Sequence, residues 1–500
     1  MDFYSKVQDE LNTRKSVTTN GAIAYETSGE DLLDFNFSVT AMRNKTKEEI
    51  AKRFKKIFLE YKLTALKDLF YIGDIRGGLG ERKIFRAGVD YLANNQPKIA
   101  CAIMDLIPYY NRWDSILEFL DYDNTRNKAV EMIKKQLKRD KEYMKAELPI
   151  SLCAKWMPSV NASSRDTRKK AQLICESLGW TQRKYRKKLV KLRKYLNIVE
   201  SQMSSNKWGE INYERVPSKA NLIYNRAFIR HDDERRREYL SLVEKGKAKI
   251  NASVLNPHEI CFEYRTNRCR EDATLEALWN ALPDLTVENT LIVRDGSGSM
   301  SWGRFNGSKG TPLDVATALA IYMSEHNTGD WKDKFITFSA KPKIVDLSNC
   351  DTLAEKVDLS LHEADCSNTD IYGTMRLILD TAVHNQIPIE DMPKMIVICS
   401  DMQFDGRYHN LNKSLFDKIA EEFENEGYKL PRICFWNLSG AINNTIPMQQ
   451  NDMGLILCSG FSVNILKMFM SNQTDPYKVL LETLNSDRYE PVADAVDGLL

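Results

Sequence analysis

The chain has 500 residues, and its 71 Lys and Arg are nearly balanced by 69 Asp and Glu, which gives a net charge of +2. A hydrophobic content of 43% argues against disorder over most of the chain, and this length predicts roughly two to four domains. No run of about 18 consecutive apolar residues is present, so we expect no membrane-spanning helix.

The near-neutral total conceals a division of charge along the chain. Residues 1–250 contain 50 Lys and Arg against 33 Asp and Glu, a net charge of +17. Residues 251–500 contain 21 against 36, a net charge of −15. A basic half joined to an acidic half indicates either a nucleic-acid partner or attraction between oppositely charged proteins or segments.

The ten cysteines are scattered and show no CxxC spacing, and several lie in apolar runs, such as Cys175 and Cys399. Buried, reduced thiols in a cytoplasmic protein are the simplest interpretation. Six dispersed histidines without an HExxH motif argue against a zinc hydrolase.

Residues 1–45 are predicted to form a docked, mostly irregular lead-in. Helical periodicity begins after Thr46 and Glu49, which match a capping box, and continues to about residue 245. Many short helices with brief turns predict a HEAT-like α-solenoid, although no clean fixed-period repeat is present. The further amphipathic segments are 64–72, 81–94, 97–108, 112–121, 125–146, 165–178, 181–196, 218–229 and 232–244.

A glycine-rich turn, Arg76-Gly-Gly-Leu-Gly-Glu81-Arg82, lies between two of these helices. It is either a phosphate site at an exposed helix N-terminus or a tight turn between helices. Trp113, in the nearby YNRWD segment, is expected to belong to an aromatic core.

From about residue 286 apolar strands alternate with helices. The strands lie in ENTLIVRD, KFITFSA, KIVDL, KMIVICSD, RICFWNLSG and MGLILCSGF. This alternation predicts a doubly wound α/β domain with a parallel sheet covered on both faces, in which ligands bind at the carboxyl ends of the strands. Residues 246–285 are predicted to be a connector, and 474–500 a helix with an acidic tail.

The sequence Asp295-Gly-Ser297-Gly-Ser299 directly follows the first of these strands. One carboxylate and two hydroxyls on a tight loop supply the oxygen ligands that a hard divalent cation requires. Thr369, before a predicted helix, and Asp401, at the end of a later strand, are expected to converge on the same edge of the sheet.

This set resembles the metal-ion-dependent adhesion site of von Willebrand factor A domains. The resemblance implies that Ser297, Ser299 and Thr369 contact Mg²⁺, or another divalent cation, through their hydroxyls. Asp295 and Asp401 would hold the ion mainly through water, and one open position would take an acidic side chain or other anionic oxygen from a partner. The alternative is a Ser- and Gly-rich turn that binds no metal.

Arg294, immediately before Asp295, departs from the adhesion-site pattern. It either points harmlessly away from the loop or weakens the affinity for the cation. The loop matches neither the Gly-x-Ser-x-Gly elbow of a hydrolase nor a P-loop, because no Gly-Lys-Ser/Thr follows.

The positive charge is concentrated in residues 134–200, which contain 19 Lys and Arg and 6 Asp and Glu. In TQRKYRKKLVKLRKYL an apolar stripe is expected to dock on neighbouring helices and leave a basic face for phosphates. Trp156, Trp180 or Tyr195 would stack on unpaired bases. The alternatives are a contact with an acidic protein surface and a solvated helix face. The candidate nucleic-acid-binding residues are Lys155, Arg165, Arg168, Lys169, Lys170, Arg183, Lys184, Arg186, Lys187, Lys188, Lys191 and Lys194.

The collinear order of these motifs resembles the TROVE family of Ro autoantigens, and more closely the family called domain of unknown function 2828. The segments that carry the resemblance are TNGAIAYETSGEDLLDFNF, GGLGER, YNRWD, KWMPS, YRKKLVKLR, WGEINYERVPSKA and RHDDERRREY, with DGSGSM and SDMQFD in the second half. For Ro proteins this implies a helical-repeat ring closed by the α/β domain, with small RNAs on its basic outer surface.

The sequence therefore predicts a TROVE-like helical domain at 1–285 and a von Willebrand factor A-like domain at 286–500. The expected function is that of a non-catalytic, RNA-binding scaffold whose Mg²⁺-holding domain engages a partner or closes the ring. One alternative is a metal-dependent protein-interaction adaptor that binds no RNA. A weaker alternative is a nuclease, which would need a second cluster of carboxylates beside Asp295 and Asp401.

Overall fold

The computed structural model describes residues 15–18, 23–302, 304–338, 342–363, 370–404, 415–440, 446 and 454–500. These residues form two compact units, one from 1–45 with 255–484 and the other from 46–254 with 485–500. The sequence predicts two continuous domains, 1–285 and 286–500. Each observed unit instead combines segments that are distant in sequence.

The α-helices and strands are numbered in chain order. The α-helices are α1 (Asp31–Phe37), α2 (Val39–Met42), α3 (Lys47–Tyr61), α4 (Leu63–Gly73), α5 (Arg82–Asn95), α6 (Pro97–Ile103), α7 (Ile107–Tyr110), α8 (Asp123–Lys145), α9 (Cys153–Trp156), α10 (Arg165–Ser177), α11 (Gln182–Tyr195), α12 (Val199–Ser204), α13 (Ser218–Ile223), α14 (Asn225–Glu244), α15 (Pro257–Thr266), α16 (Ala273–Asn280), α17 (Gly298–Trp302), α18 (Pro312–Glu325), α19 (Leu353–His362), α20 (Ile371–His384), α21 (Leu415–Asn425), α22 (Pro476–Leu484) and α23 (Glu490–Val496). The strands are β1 (Lys15–Val17), β2 (Ile23–Tyr25), β3 (Thr290–Asp295), β4 (Lys334–Phe338), β5 (Ile344–Asp346), β6 (Met395–Ser400), β7 (Arg432–Asn437) and β8 (Leu455–Ser459).

The unit formed by 46–254 and 485–500 is helical in its described residues. Its first helix, α3, begins with the predicted capping box: the Thr46 hydroxyl accepts from the Glu49 amide, and the Glu49 carboxylate accepts from the Thr46 amide. The apolar stripe that follows is buried at Ile50, Phe54 and Phe58. Local capping and burial of one face thus explain why this helix forms.

Four predicted helical segments differ in detail from the helices observed. The segment 112–121 is a 3₁₀-helix, Trp113–Asp121, with Trp113 buried. The segment 97–108 divides into α6, a 3₁₀ turn (Met104–Leu106) and α7. The last two segments, 218–229 and 232–244, correspond to α13 and α14, and α14 begins within the first of them. Helix α14 contains one non-helical residue, Asp232, at φ −153° and ψ 44°.

The turn before α5 is tightly packed rather than open. A Cβ atom at Gly78 would lie 2.0 Å from the Tyr71 carbonyl oxygen, and one at Gly77 would lie 2.2 Å from Nε of Arg488. Glu81, which precedes α5, is buried. Of the two interpretations of the GGLGER sequence, the structure therefore fits the tight turn.

The other unit is built on a six-stranded sheet in the order β5-β4-β3-β6-β7-β8. Strands β4, β3, β6, β7 and β8 run parallel, whereas β5 pairs antiparallel with β4. The sheet is therefore mixed at one edge. Its central strands β3 and β6 are buried along their whole length, which explains their continuous apolar runs.

Two segments expected to be largely irregular contain helices that belong to this unit. Between residues 246 and 285, α15 and α16 pack on each other, and α15 also packs on α18. In the lead-in, α1 and α2 lie near β8, where the Thr40 amide donates to the Ser459 hydroxyl over 3.1 Å. These helices are short and have no clear apolar period, so the sequence pattern does not predict them. In the described part of the chain, no helix combines the length and apolar character needed to cross a membrane.

Candidate functional site

The ends of β3 and β6 bring the predicted acidic residues together. The chain leaves β3 for β4 on one side of the sheet and later enters β6 on the other side, so β3 lies at the switch point where α/β folds place ligands. Arg294 of β3 pairs with Cys399 of β6, and this register sets Asp295 beside Ser400. Asp401 follows directly and is also buried.

Hydrogen bonds fix the loop around Asp295. One carboxylate oxygen accepts from the Ser297 amide over 2.8 Å, and the other accepts from the Ser400 hydroxyl over 2.5 Å. The hydroxyl oxygens of Ser297 and Ser299 lie 3.1 Å apart, and Ser299 hydrogen-bonds to the Asp401 side chain. Four of the five predicted ligands, Asp295, Ser297, Ser299 and Asp401, are therefore connected in one polar cluster.

Thr369, the fifth predicted ligand, lies outside the described residues. The helix α20 begins at Ile371, and the carboxylate of the preceding Asp370 caps it by accepting from the Gly373 amide over 2.8 Å. Within the described residues no group of three or more His, Cys, Asp or Glu is placed to hold a metal ion. A metal ion at the polar cluster would therefore take its protein ligands from two carboxylates and two hydroxyls.

The electrostatics of the cluster favour a cation. Burial, with a further contribution from the Asp401 charge, raises the pKa of Asp295 to about 6. Burial also raises the pKa of Asp401. No Lys, Arg or His of the described chain forms an ion pair with either carboxylate, so a bound divalent cation would supply the missing positive charge. The donor set of carboxylate and hydroxyl oxygens fits Mg²⁺.

Arg294 points away from the loop that carries Asp295. Its side chain is fully buried, and its guanidinium donates to the Ser360 carbonyl over 2.7 Å and to the Thr317 hydroxyl over 3.3 Å. These partners lie on α18 and α19. Because successive side chains of a strand alternate between faces, Arg294 and Asp295 point to opposite sides of the sheet.

Ser400 is a member of the cluster that sequence reasoning missed. Its hydroxyl donates to Asp295 and accepts from the Met402 amide over 3.1 Å, so it fixes the carboxylate and the following turn. The Ser-Asp pair at the end of β6 is the signal for this role in the sequence.

The strongly basic helix of the other unit, α11, docks as the sequence predicts. Tyr185, Leu189 and Leu192 are buried, and the Tyr185 hydroxyl donates to the Pro158 carbonyl over 3.0 Å. The helix packs on α8 and α9. Its N-terminus is capped by Thr181, whose hydroxyl accepts from the Lys184 amide. The opposite face, which carries most of the charge, is exposed.

Two clefts border this face of α11. Cleft A, about 440 Å³, lies against α8, with apolar residues Leu137, Met144 and Leu192 in its lining. The basic residues in the lining of cleft A are Lys141, Arg183, Lys184, Lys187, Lys188 and Lys191. Cleft B, about 710 Å³, has Val160 and Val190 in its lining, and its basic residues are Arg183, Arg186, Lys187, Lys191 and Lys194. Neither lining contains an acidic residue.

The cations around the clefts are not neutralised by the protein. None of the basic residues that line clefts A and B lies within 4.0 Å of a carboxylate oxygen of the described chain, whereas other lysines of α8, such as Lys134 and Lys138, pair with Glu131 and Glu142. Burial, together with the charges of Lys141 and Lys184, lowers the pKa of Lys188. This crowding of like charges favours an anionic ligand. Lys141 was not among the predicted residues, although it lies within the basic segment 134–200.

The remaining predicted basic residues are placed differently. Lys155 pairs with Glu200 at 3.7 Å, and Lys170 pairs with Asp121 at 3.5 Å. Arg168 donates to the carbonyls of Ala162 and Ser163, at the start of α10. Arg165 and Lys169 are exposed on α10, and neither is part of the lining of cleft A or cleft B.

The three aromatic candidates for base stacking already have neighbours. The Arg112 guanidinium lies 3.7 Å from the ring centre of Trp156, and the Lys188 ammonium lies 4.5 Å from that of Trp180. The Tyr195 hydroxyl donates to the Leu148 carbonyl over 3.0 Å, although its ring remains partly exposed. A base could stack on the covered ring faces of Trp156 and Trp180 only by displacing these cations.

Two segments of the chain match models of protein families. Residues 176–286 match the model described as "Domain of unknown function (DUF2828)", which confirms that predicted resemblance for this segment. Residues 289–490 match the model described as "Domain of unknown function (DUF7788)". The first of these segments includes α11, and the second includes Asp295 and Asp401.

One relative and one solved structure are similar over most of the chain. An uncharacterised protein of Acanthamoeba polyphaga mimivirus is 29% identical, and the similarity covers 95% of this chain and 88% of that protein. The crystal structure of the Ro (RSR) protein of Deinococcus radiodurans aligns with 86% of this chain and 92% of its own, at 15% identity and a TM-score of 0.37.

Proposed function

We propose that this protein is a non-catalytic, RNA-binding scaffold, in which the basic helical unit binds structured or single-stranded RNA and the α/β unit holds Mg²⁺ to engage a partner. The observation that carries the proposal is the set of unneutralised cations that line clefts A and B of α11. A merely solvated helix face is usually balanced by nearby carboxylates, as Lys134 and Lys138 are on α8.

A polyanion suits this surface better than an isolated anion. The cations lie along α11 from Arg183 to Lys194, so the surface is a stripe that follows the helix axis. Phosphates that bind there release condensed counterions, and this release drives association with nucleic acid. Lysines and arginines spaced along one helix can contact several consecutive phosphates of a strand.

Equilibrium binding of a fluorescent RNA to the full chain tests the proposal. In the Lys187→Glu/Lys191→Glu variant two cations shared by both clefts are reversed, and we expect affinity to fall at least about ten-fold. The control is Lys134→Glu/Lys138→Glu, which makes the same charge change on α8 outside both clefts. The proposal is wrong if both variants, or neither, lose affinity.

The α/β unit would contribute a metal-dependent contact. The residues that would hold Mg²⁺ are Asp295, Ser297, Ser299 and Asp401, with Thr369 expected beside them. When bound there, the ion would offer one coordination position to a carboxylate of a partner. The buried Asp295 and Asp401, which lack a positive partner among the described side chains, support this assignment.

A second candidate function is a metal-dependent protein adaptor that binds no RNA, and the acidic cluster alone favours it. The two functions separate by variant. Asp401→Asn should abolish Mg²⁺-dependent capture of a partner and leave RNA affinity nearly unchanged, whereas Lys187→Glu/Lys191→Glu should do the reverse. Mg²⁺-dependent RNA cleavage that disappears in Asp295→Ala would instead establish a nuclease.

A further inference from the structure

Cleft A combines apolar surface with positive charge, and both α8 and α11 contribute to its lining. Leu137, Met144 and Leu192 provide apolar surface in its lining, and lysines and arginines from α8 and α11 surround that surface. Leu137 and Leu192 are almost completely buried, whereas Met144 is partly accessible. A ligand of this cleft would therefore carry both an apolar face and negative charge.

The size of the cleft limits what can enter. It lies between two helices in direct contact, whose axes are typically 8–10 Å apart, and its volume of about 440 Å³ is that of a small-molecule site. A nucleic-acid duplex is much wider than this gap and keeps its bases stacked inside. An unpaired nucleotide can instead turn its base into the cleft while its phosphates remain outside.

The cations along the edge of cleft A are placed to receive those phosphates. Arg183, Lys187 and Lys191 line both clefts, so they form the ridge between them. They recur every four residues, which places them about 6 Å apart along the helix axis. Lys141 of α8 and Lys188 of α11 both line cleft A. The charges of Lys141 and Lys184 contribute to the lowered pKa of Lys188.

We propose that cleft A binds an unpaired nucleotide of single-stranded RNA, with the base against Met144 and its apolar neighbours and the phosphates along the ridge of Arg183, Lys187 and Lys191. The inference rests on the proposed RNA binding and specifies its ligand. Duplex RNA would contact the ridge alone, and an acidic peptide would lack a flat apolar group for the cleft.

The test compares three probes on the full chain: a single-stranded RNA 12-mer, a blunt RNA hairpin that is closed by a non-nucleotide linker and has no unpaired base, and the 12-mer with abasic positions. We expect the single strand to bind at least about ten-fold tighter than the hairpin, because only it can bury bases. The abasic strand should lose most of that advantage. A poly-glutamate peptide serves as the anionic control and should not compete.

The variant Met144→Ser removes apolar surface from the cleft without changing charge. Because Met144 is partly exposed, we expect the variant to fold. It should weaken single-strand binding roughly three- to ten-fold and leave hairpin binding unchanged. Met132→Ser, at another half-exposed methionine of α8 outside cleft A, is the matched control.

Each outcome has a defined meaning. Equal affinity for strand and hairpin, or no effect of Met144→Ser on the strand, overturns the assignment of cleft A while RNA binding itself stands. Displacement by poly-glutamate overturns the nucleotide specificity. Absence of binding to all three RNA probes overturns both this inference and the proposed function.

Discussion

The Ser400 hydroxyl, at the end of β6, donates a hydrogen bond to the Asp295 carboxylate, at the end of the neighbouring strand β3, over 2.5 Å. This bond joins two parallel strands at the edge of the sheet where ligands of α/β folds bind. It also orients one oxygen of Asp295, while the other oxygen accepts from the Ser297 amide over 2.8 Å. The cluster is therefore organised by the protein before any ligand arrives.

The raised pKa of Asp295 predicts a pH dependence of stability in metal-free protein. Its folded value of about 6 exceeds the unfolded value of 3.8, so between these values the folded state binds a proton that the unfolded state lacks. Stability from this group is therefore gained as the pH falls through 6. Relative to Asp295→Asn, the wild type should gain about 1 kcal/mol in free energy of unfolding between pH 7 and pH 5. Urea titrations in EDTA measure this, and a difference between the two proteins that is independent of pH would contradict the assignment.

Mg²⁺ should stabilise the α/β unit at pH 7.5. At a concentration ten times its dissociation constant, an ion that binds only the folded state adds about 1.4 kcal/mol. Thermal unfolding of wild type with and without Mg²⁺ should show this increase, and Ser299→Ala and Asp401→Asn should abolish it. Asp330→Asn, at an exposed residue away from the cluster, should respond as wild type does. A uniform response of all variants would mean that the ion acts elsewhere.

Arg294 should matter for stability and not for metal binding. Replacement by Met removes the donor to the Ser360 carbonyl inside the α/β unit, and a buried acceptor that loses its partner costs about 2 kcal/mol. Arg304→Met changes an exposed arginine and should cost less than about 0.5 kcal/mol. Chemical denaturation measures both losses. An Arg294→Met protein of normal stability with increased Mg²⁺ affinity would show instead that the arginine repels the ion.

Asp74 should hold residues 485–500 onto the helical unit. Its carboxylate is completely buried and accepts from the Arg488 guanidinium, from the Tyr489 hydroxyl over 3.2 Å and from the Arg76 amide over 2.9 Å. Asp74→Ala removes the carboxylate partner of the partly exposed Arg488 guanidinium and of the buried Tyr489 hydroxyl, and should cost about 2–3 kcal/mol. Asp105→Ala breaks only the exposed pair with Lys128, so its cost should be below about 1 kcal/mol. Similar losses in the two variants would refute this role.

The elements with strong local signals were predictable from sequence. The capping box of α3, the apolar stripe of α11 and the continuous apolar strands β3 and β6 are all present as expected. Features that depend on distant contacts were not predictable. The Thr40–Ser459 hydrogen bond connects the first helices to the sheet, and the Asp74–Arg488 pair connects residues 485–500 to the helical unit. No local sequence pattern indicates either contact.

The candidate sites show the same distinction. Asp295, Ser297, Ser299 and Asp401 lie where strand ends converge, and the α/β alternation predicts this convergence. The role of Ser400 depends on the register between β3 and β6, which the sequence does not specify. In the basic segment, charge density identified α11 but could not separate Lys187 and Lys191, which line the clefts, from Lys155 and Lys170, which have carboxylate partners.

The salt dependence of RNA binding tests the central claim most directly. The logarithm of the binding constant should fall linearly with the logarithm of salt concentration, with a slope of about −0.7 for each phosphate contacted by a single strand. For Lys187→Glu/Lys191→Glu we expect a slope shallower by at least about 1.4 and a weaker affinity at every salt concentration, while Lys134→Glu/Lys138→Glu keeps the wild-type slope. Binding that is insensitive to salt, or the same slope in all three proteins, would contradict the account.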